Sequence, residues 1–168
     1  MARHKPIAPP NTTTLMSKIS VYIIAYNEAE KVAATIASAQ WADEIIVVDS
    51  HSTDDTAAIA EQLGARVVQV PFHGFGDLRN QAIQVCTHEW IFSLDADERC
   101  TPEAAAEIRT ITSHQDALDA YWIPRRNYFM GRWIKHSGWY PNYRQPQLFR
   151  KGRMEYDLKP VHEGDVLH

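Results

Sequence analysis

Residues Trp90–Cys100, WIFSLDADERC, decide how this chain is read. The segment begins as an uninterrupted apolar run, WIFSL, without the in–out alternation of a strand that faces water on one side. It then stops on Asp95, Asp97 and Glu98 within four residues. A strand apolar on both faces belongs inside a parallel sheet covered by helices. In such sheets ligands bind beyond the carboxyl ends of the strands.

The chain on either side fits that sheet. Ile19–Tyr26 (ISVYIIAY), Glu44–Asp49 (EIIVVD) and Ala65–Val70 (ARVVQV) are further β-branched, apolar runs. Helical spacing separates them: Val32 and Ile36 in the first interval, Thr56, Ile59, Ala60 and Leu63 in the second, Leu78, Ala82 and Val85 in the third. Ser52 and Asp55 suit the N-terminal turn of the second helix, and Gly64 is a natural stop. After WIFSLD, Thr101 and Pro102 open a helix with Ala104, Ile108 and Ile111 expected on its inner face. Ala120–Pro124 (AYWIP) reads as a fifth strand, beyond which periodicity weakens and aromatics and arginines accumulate. Strand–helix alternation implies an α/β fold with a mostly parallel central sheet. The strand ends should therefore converge: Tyr26, Asn27 and Glu28 after the first, Asp49 after the second, Asp95 and Asp97 after the fourth.

Composition narrows the function classes. The chain has 168 residues, enough for one domain with a real core, and a formal net charge of −4, against a dedicated nucleic-acid binder. No apolar run reaches the roughly 18 residues that span a bilayer. Cys86 and Cys100 have no metal-site spacing and read as free thiols of a reducing cytosol. Residues 1–17 are Pro- and Thr-rich and read as a disordered leader, with Met16 an alternative start; residues 18–168 form the domain.

Acids separated by one residue repel each other unless something positive sits beside them. A divalent cation, Mg²⁺ or Mn²⁺, is one answer, since such ions accept one or two carboxylates and fill their shell with water and phosphate oxygens. Asp97 is the favoured ligand and Asp95 is expected nearer a sugar or ribose. The other reading is a solvated acidic turn, because a D-x-D pattern recurs by chance.

Three blocks together, Val21–Val32 (VYIIAYNEAEKV), Glu44–Thr56 (EIIVVDSHSTDDT) and Gly76–Glu98 (GDLRNQAIQVCTHEWIFSLDADE), resemble the family 2 glycosyltransferases with the GT-A, Rossmann-like fold. The later stretch Gly131–Gly164, with a VHE triplet at its end, is similar to the lipopolysaccharide core glucosyltransferases. The resemblance implies a nucleotide-sugar site formed by Ala25, Tyr26, Asn27, Glu28, Asp49, Arg79, Asn80 and Asp95, and a divalent cation on Asp97 and Asp95. Asp49 would accept from the donor's base or ribose. Ser50 and His51 depart from the second acid and glycine common in the family at these positions. Arg79 would face the diphosphate; the alternative is a solvated helix residue paired with Asp77 or Glu89. Glu163 of the triplet would be the catalytic base, with His162 orienting it or facing the diphosphate.

The implied reaction is inverting, metal-dependent hexosyl transfer, glucose being the expected sugar, from a UDP-sugar donor to a glycolipid or oligosaccharide acceptor of lipopolysaccharide core type. The expected setting is cytoplasmic, peripheral at the inner face of the cytoplasmic membrane. Residues 18–100 would bind donor and 101–168 acceptor and base. Family members continue with helices past the base triplet, so the chain reads as C-terminally shortened. Tyr128, Phe129, Trp133, Trp139, Tyr140 and Tyr143 lie among Arg125, Arg126, Arg132, Lys135 and Arg144. They can stack on sugars, meet acceptor phosphates, or touch an anionic bilayer; the plain alternative is a second hydrophobic cluster. Two other readings stand beside the transferase. A nucleotidyltransferase is disfavoured by the glycine-free loop AYNEAEK (Ala25–Lys31), and a non-catalytic nucleotide-sugar binder would bind donor without transfer.

Overall fold

The structure, a computed structural model, describes residues 17–136, 144–158 and 165–167. The elements are β1 (Ile19–Ala25), α1 (Val32–Ala39), β2 (Glu44–Asp49), α2 (Thr56–Gln62), β3 (Arg66–Gln69), α3 (Phe75–Val85), β4 (Trp90–Asp95), α4 (Pro102–Thr112), β5 (Ala120–Pro124), β6 (Tyr128–Phe129), β7 (Arg132–Trp133), β8 (Arg144–Arg150), β9 (Met154–Tyr156) and β10 (Asp165–Leu167). Six strands form one sheet in the order β3-β2-β1-β4-β8-β5. The first four are parallel, whereas β8 runs antiparallel to both its neighbours. The mostly parallel α/β sheet expected from the strand runs is therefore present. The reversed β8 was not legible: its sequence, RQPQLFR, carries little strand signal. Pro146 stands opposite Trp122 where the β5–β8 register shifts, as a residue without a donor N–H requires.

Every residue of β1 is buried, and its side chains divide between two cores. Ile19, Val21, Ile23 and Ala25 pack with Val32 and Ile36 of α1, Ala60 of α2, and Ala105 and Ile108 of α4. Tyr22 and Ile24 face the other way, onto Leu78, Ala82 and Ile83 of α3 and onto Met154 and Tyr156 of β9. That two-sided burial explains why β1, β2 and β4 read as continuous apolar runs.

Three local expectations need correction. Leu63 is 43% exposed, because α2 ends at Gln62 and Leu63 becomes its C-cap. The stop itself is as expected: Gly64 takes φ +83°. Asp55 occupies the α2 N-cap position without a side-chain cap bond; Asp54 instead accepts from the Thr56 N–H at 3.0 Å. On α4 the buried face is Ala105, Ile108 and Thr112, about a residue round from the expected one, with Ala104 and Ile111 at its edge. Its cap is as expected, Thr101 Oγ1 accepting from the Ala104 N–H at 3.2 Å.

Because β2 and β3 continue to one side of β1 while β4 returns to the other, the chain reverses direction across the sheet between β1 and β4. This is the switch point at which the flanking loops part and leave a crevice. Registration brings the three polar strand ends to it: Ala25 pairs with Asp49, and Ile24 with Asp95.

Candidate active site

Two loops form one wall of the crevice, and Asp49 holds them. Its carboxylate is buried, accepts from the Ser52 N–H at 2.9 Å, and also accepts from the Ser52 hydroxyl. Ser52 Oγ accepts the Asn27 N–H at 2.8 Å, and Asn27 Oδ1 accepts the Thr53 N–H at 2.8 Å. Asn27 and His51 adopt φ of 53° and 57°, the left-handed conformation that asparagine tolerates well. Glu28 N–H donates to Thr56 Oγ1 at 2.8 Å, completing the lacing of β1's loop to β2's. Tyr26 is left exposed on the rim. Ser50, where the resemblance led to an acid, is buried; its hydroxyl has no hydrogen-bond partner among the described residues. A buried hydroxyl in that state is suited to meeting a ligand.

The opposite wall is the turn after β4. Asp95 is not exposed to its like-charged neighbours alone, because two arginines neutralise it. Arg79 Nη2 of α3 lies 2.8 Å from Asp95 Oδ1, and Arg125 Nη2, just past β5, lies 3.7 Å from Oδ2. Arg79 also donates to Ser93 Oγ at 3.3 Å and lies over the Tyr156 ring at 5.5 Å. Neither Asp77 nor Glu89 is its ion-pair partner here: Asp77 accepts from Gln81 and Glu89 pairs with Arg150. Asn80 bonds both backbone polar groups of Tyr156, at 2.8 and 2.9 Å, so its amide ties α3 to β9.

Glu98 closes the turn. Its N–H donates to the Asp95 carbonyl at 2.9 Å, and its carboxylate accepts from the Asp95 N–H at 2.9 Å and from Gln147 Nε2 at 3.0 Å. Arg125 Nε sits 2.7 Å from its other oxygen. Burial first, and then the Asp95 charge, push the Glu98 carboxyl up to about 7, against the pull of Arg125. Within this frame Ala96 is buried and Asp97 is exposed. Asp97 is therefore the carboxylate of the pair that is open to an ion.

No cluster of three ligating side chains occurs among the described residues. A cavity of about 460 Å³ between α1 and α4, lined by residues including Trp41, Cys100 and Arg109, holds none of these carboxylates.

The sequence reading gave Gln147 no role, named Glu98 only as part of the acidic strand end, and grouped Arg125 with the acceptor-side cations rather than with Asp95. Arg125 carried a usable signal. β5 runs parallel to β4 through the antiparallel β8 between them, so a charged residue just after β5 reaches the same rim. Glu163, His162, Trp139, Tyr140 and Tyr143 lie outside the described residues.

The sequence model described as "Glycosyl transferase family 2" matches residues 20–163. The chain belongs to glycosyl transferase family 2. Among its relatives, "Lipopolysaccharide core biosynthesis glycosyltransferase LpsC" from Rhizobium meliloti is 31% identical over 158 residues, covering 88% of this chain and 57% of that protein. An "Uncharacterized glycosyltransferase" from Rickettsia felis is 49% identical over 111 residues, 64% of this chain and 39% of the relative. The chain thus spans roughly three-fifths and two-fifths, respectively, of these two relatives' length. In fold it is similar to residues 1–349 of S. aureus TarS, with a TM-score of 0.64 at 20% identity over 84% of this chain and 51% of that one. Among the described residues no helix is long and apolar enough to cross a membrane.

Proposed function

We propose that this family 2 chain carries the donor site of an inverting glycosyltransferase. It would move a hexose, glucose first among candidates, from a UDP-sugar to a hydroxyl of a lipopolysaccharide core or similar glycan. The observation that carries this reading is the exposed Asp97 on a pinned turn at the sheet's switch point, opposite the laced β1 and β2 loops. The likeness to the R. meliloti lipopolysaccharide core biosynthesis glycosyltransferase supports the acceptor class.

In this reading the donor's nucleoside lies over the ends of β1 and β2, where Tyr26, the Asn27 loop and the buried Ser50 hydroxyl offer stacking and hydrogen bonds. Its diphosphate points toward Asp97. A divalent cation, Mg²⁺ or Mn²⁺, would be held by Asp97 and would supply counter-charge as the anomeric C–O bond breaks. Arg79 and Arg125 fix Asp95, and with Glu98 they keep the turn rigid, so little reorganisation is needed when charge develops. Glu163 takes the proton from the acceptor hydroxyl, whose attack on the face opposite the leaving group inverts the anomeric centre.

Titration calorimetry with UDP-sugars, with and without Mn²⁺, tests the donor site. Binding should weaken at least tenfold without metal and equally in Asp97→Asn. Metal-independent binding untouched by that substitution refutes the assignment. Glu163→Gln should abolish transfer while leaving donor affinity within about twofold; a large loss of affinity removes Glu163 from the base role. Donor binding with no transfer by the wild-type chain would favour the non-catalytic binder.

A further inference from the structure

Just beyond Arg125 the chain leaves the main sheet as a two-stranded hairpin, β6–β7. Tyr128 pairs with Trp133 and Phe129 with Arg132, and the Ile134 N–H closes the base on the Asn127 carbonyl at 2.9 Å. Met130 and Gly131 form the tip, both left-handed at φ 48° and 73°, as a tight two-residue turn requires. The tip is apolar and open: Met130 is 88% exposed, Phe129 65% and Tyr128 63%. A lone exposed apolar residue needs no explanation, but three in succession on a projecting turn do.

Cations stand directly behind the tip. Arg126, Arg132 and Lys135 are exposed, with the Arg126 guanidinium 5.1 Å and the Lys135 ammonium 4.6 Å from the Trp133 ring centre. From Ala120 to Met154 there are eight Lys and Arg and no Asp or Glu, in a chain whose net charge is −4. Of the eight, Arg126, Arg132 and Lys135 lie on the hairpin or within two residues of its strands. Glu103, at the start of α4, is an acid that feels them: its carboxyl is lowered first by its own backbone N–H and the Thr101 hydroxyl, and last by the charge of Arg126.

We propose that the β6–β7 hairpin docks the protein on an anionic lipid bilayer, with Phe129 and Met130 in the acyl boundary and Arg126, Arg132 and Lys135 at the headgroups. Arg132 pairs with Phe129, and Arg126 and Lys135 lie three residues further from the tip, about 10 Å at roughly 3.3 Å per residue, which matches the depth of the interface. Each Lys or Arg near such a surface strengthens binding roughly fivefold, and apolar insertion adds an attraction that salt does not screen. The occupant is a bilayer rather than a protein because the charge excess is of one sign and the apolar surface is a point rather than a broad face. Docking would bring the crevice beside Arg125 to the membrane, where a lipid-linked acceptor is presented. Binding of the hairpin to a bilayer does not depend on sugar transfer.

Flotation of the full chain with vesicles tests this. The protein should float with phosphatidylcholine vesicles containing one-third phosphatidylglycerol, should not float with phosphatidylcholine alone, and should bind less tightly as salt is raised. Phe129→Ser with Met130→Ser should weaken binding at least tenfold, and Arg132→Glu with Lys135→Glu at least 25-fold, with thermal unfolding and UDP-sugar titration unchanged. Failure of the wild-type chain to float on the anionic vesicles overturns the proposal, as does equal binding by the tip variant. A lipid-free protein that is dimeric, and becomes monomeric in the tip variant, would assign the tip to contact between copies and also overturn it. Donor titration is read separately, so loss of membrane binding and failure of the donor site cannot be confused.

Discussion

Asp95→Asn and Asp97→Asn remove one charge each from the two sides of Ala96, and they should behave as different kinds of substitution. Asp95 is 2.8 Å from a guanidinium whose side chain is only 10% exposed, while its own side chain is 29% exposed. Neutralising it takes away the charge of the carboxylate 2.8 Å from the largely buried Arg79, which also contacts Ser93 and the Tyr156 ring. Breaking a fully buried pair costs about 3–5 kcal/mol, and the partial exposure of Asp95 brings this to about 2 kcal/mol. In a chain of this size that lowers the melting temperature by about 4–8 °C. Relief of the Asp95–Glu98 repulsion offsets part of the loss and should let the Glu98 carboxyl fall from about 7 toward its ordinary value. Asp97 is exposed, so its substitution should change stability by less than about 0.5 kcal/mol while removing metal-dependent donor binding. Urea unfolding of Asp95→Asn, Arg79→Met and the double variant isolates the pair. The double variant should be less destabilised than the sum of the singles by at least about 1 kcal/mol. Additivity within about 0.5 kcal/mol, or equal destabilisation by Asp97→Asn, would refute the division of labour between the two aspartates.

Other outcomes follow from single contacts. A Cβ on Gly76 would lie 2.0 Å from the Asp157 carbonyl oxygen, so Gly76→Ala must push α3 off the segment after β9 and should cost about 2–3 kcal/mol in urea unfolding. Glu44 accepts from Ser20 Oγ at 2.5 Å and the Thr87 N–H at 2.9 Å and pairs with Arg66 at 2.9 Å. Burial raises its carboxyl, but these bonds outweigh it and bring it from 4.5 to about 2. The folded value lies below the unfolded one, so this stabilisation is complete above about pH 5 and is lost as pH falls from 4.5 toward 2. It amounts to about 1–3 kcal/mol given the partial exposure, and Glu44→Gln should flatten the stability profile across that window.

The strands β1, β2 and β4 were legible because both their faces are buried, which writes unbroken apolar runs into the sequence. The start of α4 was legible because Thr101 and Pro102 are local signals, satisfied within one turn. Their order along the chain implied a parallel sheet, and a parallel sheet implied which ends would meet. Local signals failed where a residue's surroundings come from distant chain. Leu63 looked like core because its spacing from Ile59 and Thr56 is helical, yet the helix ends before it. β8 enters the sheet in reverse between β4 and β5, and nothing in RQPQLFR announces its partners.

The same boundary runs through the site. Sequence alone placed Asp95 and Asp97 at the end of a buried strand, since strand-end position depends on a few consecutive residues. The different surroundings of the two aspartates were decided by tertiary structure. Arg79 comes from α3, Arg125 from beyond β5 and Gln147 from β8, and together they take up Asp95 and Glu98 and leave Asp97 in solvent. Charge pairing acts through space over a few ångströms, whereas sequence records only separation along the chain, and here the partners are 16 to 49 residues apart.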